Sequence, residues 1–365
     1  MKICLLGQFP PHIGGVSSHV YLLSQELLAR GDEVWVLTYP HPDIKGGNRN
    51  DFNGIRVESA WAPQFKGLRG LFFSLSAFFK LIRMVHNQKL DLIHAHYILP
   101  PGLIAVLVGG LMGTRTAVTI HGSDLFLLAQ KPLLKQITRW VLERTDYVMV
   151  VSKALERKVL ELGISPQKVK FTTNAVDRDR FSPENPLPPD VHVDPHKITL
   201  LFVGNLVPQK GVKYLLEAKK LLDADLEMNK ARNIFELIIV GDGPLKKGLE
   251  RQVQENNIKN VVFLGERRDV AQIMPSADLF ILPSISEGFP ITILESLASG
   301  VPVVATRVGG VEEIESESVV TVVEPGQPEA LTRAIKQLVE HESLEEVRER
   351  ALTIAHKYSY IKIPY

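Results

Sequence analysis

Two carboxylates, Glu287 and Glu295, stand with seven residues between them and bracket a Gly-Phe-Pro turn. The apolar run Leu279 to Leu282 before them reads as a buried strand. Ile293 to Ala298 reads as a short helix that ends at Gly300. Glu287 therefore lies in a loop at the carboxyl end of a strand, and that loop feeds a helix. The first amides of such a helix, near Ile291 and Thr292, have no internal partners, and with the helix dipole they suit a phosphate. Carboxylates do not bind phosphate, but they accept hydrogen bonds from hydroxyls such as those of a sugar or a ribose. Taken singly, each acid could equally be a solvated surface group. A cation is available at Lys210, which precedes a glycine and a helix as a phosphate-binding lysine does, although an isolated lysine is more often an ordinary surface residue. A histidine, His121, stands at a strand end with a glycine behind it, where α/β proteins bind ligands; a merely hydrogen-bonded loop histidine fits that position as well.

The elements that must hold these residues alternate along the chain. Residues 2 to 7 read as a strand. A loop containing Gly14 and Gly15 follows, then a helix with Val16, Val20, Leu23 and Leu27 on one face, a glycine stop at Gly31, and a strand from Val34 to Thr38. Strand, glycine loop, helix, strand is the opening of a parallel α/β sheet. Strands follow at Leu90 to Ala95, Ala117 to Ile120 and Tyr147 to Ser152. His94 and His96 form a His-x-His pair, but no cysteine or carboxylate joins them at ligand spacing, so the sequence implies no metal. One of the two reads as packed and the other as lying near a binding crevice.

Residues 181 to 197 contain five prolines among polar residues, a linker composition. The expected division is 1–180 and 198–365, with the linker 181–197 between them. The second half opens with the strand Lys197 to Gly204 and continues with strands at Phe235 to Val240, Val261 to Leu264, Leu279 to Leu282, Pro302 to Thr306 and Val319 to Val323. It repeats the β-α series of the first half without repeating its sequence. Ala330 onward reads as helical to about Tyr360.

The stretch from Glu287 through Glu295 to Ala-Ser-Gly-Val-Pro-Val-Val-Ala-Thr306 resembles the signature of the retaining glycosyltransferases of family 4. His121-Gly-Ser-Asp124 resembles that family's His-Gly-x-Asp, and Asn174-Ala-Val-Asp177 its Asn-Gly-Val-Asp. Together they extend the likeness over nearly the whole chain. The resemblance implies the GT-B fold: α/β, two Rossmann-like domains with parallel sheets facing across a cleft. It implies a metal-independent hexosyltransferase, without cofactor, that moves a sugar from a nucleoside-diphosphate sugar to a hydroxyl of a glycan or lipid-linked acceptor. On that likeness Glu287 holds sugar hydroxyls, Glu295 takes the ribose, and His121 touches the transferred sugar. Lys210 and the amides near Ile291 and Thr292 hold the diphosphate. Val240, Gly241 and Leu264 lie by the base, and Gly15 borders the donor diphosphate and the acceptor. The family's Gly-Arg-x-x-x-x-Lys-Gly is matched by Gly204 to Gly211, but Asn205 replaces the arginine. Two alternatives stand beside this reading: a sugar-nucleotide epimerase of the same fold, which would act on a donor without any acceptor, and a non-catalytic sugar-nucleotide-binding partner of a true transferase, which the charge lost at Asn205 allows. Chains of this family usually extend further and cross back onto the first domain; this one stops at Ile363-Pro-Tyr365, which implies a shortened crossover.

Bulk properties agree with a globular α/β enzyme. The chain has 365 residues, 45% hydrophobic and 23% charged, with a net charge of +1. So balanced a charge gives no reason to expect nucleic acid. The single cysteine cannot form an internal disulfide, and Met-Lys runs straight into an apolar strand without a cleavage site; both fit the cytoplasm. Residues 65 to 86 form an apolar helical pattern with Leu68, Phe72, Leu75, Phe79 and Ile82 on one stripe, Phe73 and Phe78 off it, and Lys66, Arg69, Lys80 and Arg83 as decoration. This reads as a core helix with a solvated basic face, or as a basic amphipathic helix lying peripherally on an anionic membrane.

Overall fold

The computed structural model describes residues 1–44, 50–63, 68–122, 124–125, 131–228, 235–315, 319–341 and 343–365. The chain forms two compact units. The first comprises Met1–Asn174 with Tyr360–Tyr365, and the second Ala175–Ser359. The division falls before the proline-rich stretch and not within it. That stretch belongs to the second unit, where Phe181 and Val191 are buried and Arg267 pairs with Asp190. The expected second domain also loses its last six residues to the first unit. There Lys362 O accepts from Thr172 Oγ1 at 2.9 Å, and Tyr365 OH meets His94 Nδ1 at 2.9 Å.

The first unit carries an eight-stranded sheet, β1 Lys2–Leu6, β2 Glu33–Thr38, β3 Asn50–Phe52, β4 Ile55–Ser59, β5 Leu92–His96, β6 Arg115–Ile120, β7 Tyr147–Val150 and β8 Val169–Phe171, in the order β3-β4-β2-β1-β5-β6-β7-β8. All pairs are parallel except β3–β4. The β3–β4 hairpin was not expected. Its turn is Asn53-Gly54, at φ 52° and 87°, the dipeptide that a two-residue turn with both central φ positive prefers.

Helix α1 (Gly15–Ala29) buries Val20, Leu23 and Leu27 against the sheet. Helix α2 (Arg69–Gln88) turns a different face inward from the expected one. Phe73, Ala77, Leu81, Met84 and Val85 are buried, with Phe73 stacked on Tyr39 at 4.0 Å. Leu68, Leu75 and Phe79 of the expected stripe are exposed, Phe79 at 66%. Both stripes have helical spacing, so periodicity alone could not choose between them; the aromatic partner on β2's carboxyl side decides.

The second unit has a six-stranded, wholly parallel sheet: β9 Ile198–Val203, β10 Phe235–Val240, β11 Val261–Gly265, β12 Leu279–Leu282, β13 Val303–Thr306 and β14 Val320–Val323, in the order β11-β10-β9-β12-β13-β14. Leu200, Phe202, Leu237, Ile239, Leu279 and Ile281 fill its core, the near-continuous apolar runs of strands covered on both faces. The helical tail is two helices, Pro328–His341 and Leu344–Lys357, divided at Ser343, whose Oγ accepts from Glu346 N at 3.4 Å as an N-cap.

In both units the strand order reverses beside the first strand. In the second unit β10 and β11 lie to one side of β9, and β12 onward to the other. Loops leaving β9 and β12 therefore diverge, and the crevice they open is where such sheets bind ligands. The same holds between β1 and β5.

Candidate functional site

The second unit's switch point brings together two residues that stand 77 positions apart in sequence. After β9 the chain runs through Asn205 to a short turn, Pro208–Lys210. After β12 it runs through Ser284 to Glu287. Lys210 Nζ lies 2.6 Å from Glu287 Oε1, and the same oxygen accepts from Ser284 Oγ at 2.7 Å. Their side chains are 22% and 12% exposed, so the pair is shielded yet open to a ligand. The loops are also joined through their backbones, Ile285 N donating to Gln209 O at 2.7 Å. A cation and a carboxylate thus stand side by side at the strand ends.

Several unexpected residues hold Glu287 in place. Thr306 Oγ1 donates to Ser284 O at 2.5 Å, which fixes the loop that carries Ser284. Gly309 presses against the same loop: at φ 54°, a Cβ there would lie 2.3 Å from Glu287 O. Gly310 N donates to Gly288 O at 2.8 Å. The Gly309-Gly310 pair ahead of a short helix repeats the pattern of Gly14-Gly15 and was the available signal.

The helix Ile291–Ala298 starts directly after this turn and carries no side-chain cap. Ile293 N donates to Pro290 O at 3.1 Å, and no side chain caps the amides ahead of it, Ile291 and Thr292. Ile291 is buried, and Thr292 Oγ1 is buried without a hydrogen-bond partner. Glu295 sits one turn on. Burial pushes its carboxyl up to about 7, against a weaker pull downward from Arg180. At the other side of β9, Val240 is buried and ends β10, Leu264 is half-buried in β11, and Gly241 follows Val240 at φ 140°. A Cβ on Gly241 would lie 2.0 Å from Gly204 O, so only glycine lets the two strand ends close on each other. Asn205 is exposed, and its carbonyl accepts from Val207 N at 2.9 Å.

In the first unit His121 follows β6 and is half-buried. Its ring stacks near His96, with Nε2 3.2 Å from His96 Nδ1, and meets His19 edge-on at 5.0 Å between centroids. Asp124 fixes the loop behind it, accepting from Gly122 N at 3.0 Å and Ile98 N at 3.2 Å. Burial raises the Asp124 carboxyl to about 6 despite those amides. Burial lowers His19 to about 4 and holds His96 and His121 well below the usual histidine range, so all three rings are neutral. His94 is the packed member of the His-x-His pair: Thr119 Oγ1 and Tyr365 OH occupy its two nitrogens. Gly15 is exposed at the start of α1, behind Gly14 at φ 141°.

Two Rossmann-like units, one with a histidine cluster at its strand ends and the other with a lysine–glutamate pair at its switch point, have the α/β architecture of the GT-B class. The family model Glycosyltransferase Family 4 matches residues 13–180, and that for Glycosyl transferases group 1 matches residues 187–356. The two together span both units, and the chain belongs to the group 1, family 4 glycosyltransferases.

Among curated proteins it is 26% identical to the N-acetyl-alpha-D-glucosaminyl L-malate synthase of Bacillus anthracis, over 83% of this chain and 78% of that one. It is 28% identical to a phosphatidylinositol N-acetylglucosaminyltransferase subunit from Arabidopsis thaliana, over 91% and 72%. Among solved structures, Anabaena HepE in complex with UDP and glucose has a TM-score of 0.78 at 20% identity, with 99% of this chain and 96% of that one covered. That likeness is one of fold.

Proposed function

We propose that the chain is a retaining hexosyltransferase that moves a sugar from a nucleoside-diphosphate sugar to a hydroxyl of a glycan or lipid-linked acceptor, in the cytoplasm and without a metal. The observation that carries this reading is the Lys210–Glu287 pair at the second unit's switch point. On it, Lys210 and the amides at Ile291 and Thr292 take the diphosphate, where preorganised charge counts most as the leaving group departs. Glu287 accepts from sugar hydroxyls, and Ser284 orients it. Glu295 accepts from the ribose, and Val240, Gly241 and Leu264 border the base. From the first unit, His121 is assigned to the transferred sugar. As a neutral ring it donates or accepts a hydrogen bond without adding charge. Gly15 is assigned to the diphosphate and acceptor side. The reaction proceeds with retention on one face, the leaving phosphate assisting deprotonation of the acceptor.

The names of the two relatives favour an N-acetylglucosaminyl donor. They differ in acceptor, one carrying malate in its name and the other phosphatidylinositol. For this chain a lipid-linked acceptor is favoured by the outward face of α2. There Trp61, Ser76, Phe79, Lys80 and Arg83 line a groove of about 560 Å³, with Trp61 63% exposed. Exposed aromatics beside Arg83 suit an anionic membrane surface, while Lys80 is held within the protein by Glu58 at 3.4 Å and Ser59 O at 2.8 Å. No helix among the described residues is long and apolar enough to cross a membrane, so contact would be peripheral.

The test is a mass-spectrometric screen of nucleoside-diphosphate sugars, with EDTA present, with and without acceptor lipids or sugars. Transfer is supported by release of nucleoside diphosphate together with an acceptor-dependent glycosylated product. Conversion of the donor without acceptor indicates an epimerase. Binding without any conversion indicates a non-catalytic partner.

A further inference from the structure

His19, His96 and His121 come from three separate elements, α1, β5 and the loop after β6, and converge on one point of the first unit. Each offers one ring nitrogen, and these three nitrogens lie within 4.8 Å of one another. Their ring centroids are 5.0 to 5.5 Å apart. His19 and His96 are buried, whereas His121 is the half-buried member on the open side. One nitrogen remains unused by the fold: His96 Nε2 is buried and has no hydrogen-bond partner. A buried imidazole with an unbonded nitrogen calls for something to bond it.

From this geometry we propose that the three histidines form a binding site for a divalent transition-metal ion of the Zn2+ class. A tetrahedral site with Zn–N bonds near 2.0–2.1 Å needs nitrogens about 3.3 Å apart, so the three rings close by ~1.5 Å or less, within reach of side-chain rotation. Three imidazoles and an open fourth position are the donor set of an accessible zinc site. The ring of His19 is already aimed. Its Nδ1 is 2.8 Å from Asn174 Oδ1, which leaves Nε2 for a metal, the outer-shell arrangement that orients ligating histidines.

The donor set selects against hard ions. Asp124, in the same loop as His121, spends both oxygens on backbone amides, so among the described residues no carboxylate joins the three rings to favour Mg2+ or Ca2+. His94 is not a ligand, since both of its nitrogens are occupied. Metal binding here does not depend on the transferase reading; because His121 is also the ring assigned to the transferred sugar, a bound ion would compete with the donor sugar for it and would not assist the transfer.

The test uses the full chain, stripped with EDTA and then dialysed against Zn2+ or Co2+. The expected result is one ion per chain, a tetrahedral Co2+ absorption spectrum, and a shell of three imidazole nitrogens by X-ray absorption on the Zn2+ form. His96→Gln and His19→Gln should lose stoichiometric binding. Asn174→Ala, which keeps all three rings, should weaken it by about tenfold. His41→Gln, which removes a half-buried histidine outside the cluster that lies 3.6 Å from Asp43, should leave it unchanged. Absence of Zn2+ binding by the parent overturns the proposal, as does stoichiometric binding that survives in a folded His96→Gln protein. If the histidine variants do not fold, the absorption measurement on the parent decides: fewer than three imidazoles around the ion refutes the site.

Discussion

Replacing Glu287 by glutamine separates two effects that its pairing with Lys210 ties together. Glu287 Oε1 lies 2.6 Å from Lys210 Nζ and accepts from Ser284 Oγ at 2.7 Å. A diphosphate seated on Lys210 brings its charge to roughly 6 Å from that carboxylate, which at an effective dielectric of about 20–40 costs about 1.4–2.8 kcal/mol. Glutamine removes the repulsion and keeps an oxygen that can accept from Lys210 or Ser284. Part of the gain is lost because Lys210 is held less firmly. Binding of UDP alone should therefore tighten by about 1–2 kcal/mol, about five- to thirtyfold. Turnover should move in the opposite direction, falling at least about tenfold, the ~1.4 kcal/mol that one sugar hydrogen bond contributes in the transition state. Isothermal calorimetry and initial rates on the same preparation give both numbers. Weaker or unchanged UDP binding would refute the electrostatic argument, and an unchanged rate in a folded variant would remove Glu287 from the site.

Three further outcomes follow from the same geometry. Burial favours the protonated form of Glu295, so its contribution to stability is complete below its ordinary value of 4.5 and is lost as pH rises through about 7. Relative to Glu295→Gln, the parent should lose on the order of 1–3 kcal/mol of stability between pH 5 and pH 8 in urea titrations, and parallel curves would contradict this. Asn205→Arg adds a forked cation beside Lys210 and should tighten nucleoside-diphosphate binding about five- to thirtyfold by calorimetry; weaker binding would mean that the loop is built around asparagine. Trp61→Ser with Phe79→Ser should reduce co-sedimentation with anionic vesicles without lowering thermal stability, because both residues lie on the exposed side; no vesicle binding by the parent would dismiss the membrane contact.

The sheets were legible because their strands are buried on both faces and read as unbroken apolar runs, such as Phe235–Val240. The site loops were legible as strand ends that lead through glycine and charge to helices. The pairing of Lys210 with Glu287 was not, because it depends on the strand order placing β12 beside β9, and no local pattern encodes that neighbour. The α2 face was misread since two apolar stripes share one helix and only the Tyr39 stacking partner separates them. The meeting of His19 with His96 and His121 joins a helix to two strand ends, and spacing could not show it. The tail's return to the first unit rests on Tyr365 reaching His94, across 271 positions of sequence.

The central claim is sugar transfer with retention from a nucleoside-diphosphate sugar. Proton NMR of the anomeric region tests it most directly, on a reaction containing UDP-N-acetylglucosamine, acceptor and EDTA. The account predicts that the donor signal is replaced by a new glycoside of the same anomeric configuration, with one UDP released for each bond formed. A product of inverted configuration, or conversion of the donor without a new glycosidic bond, would contradict it.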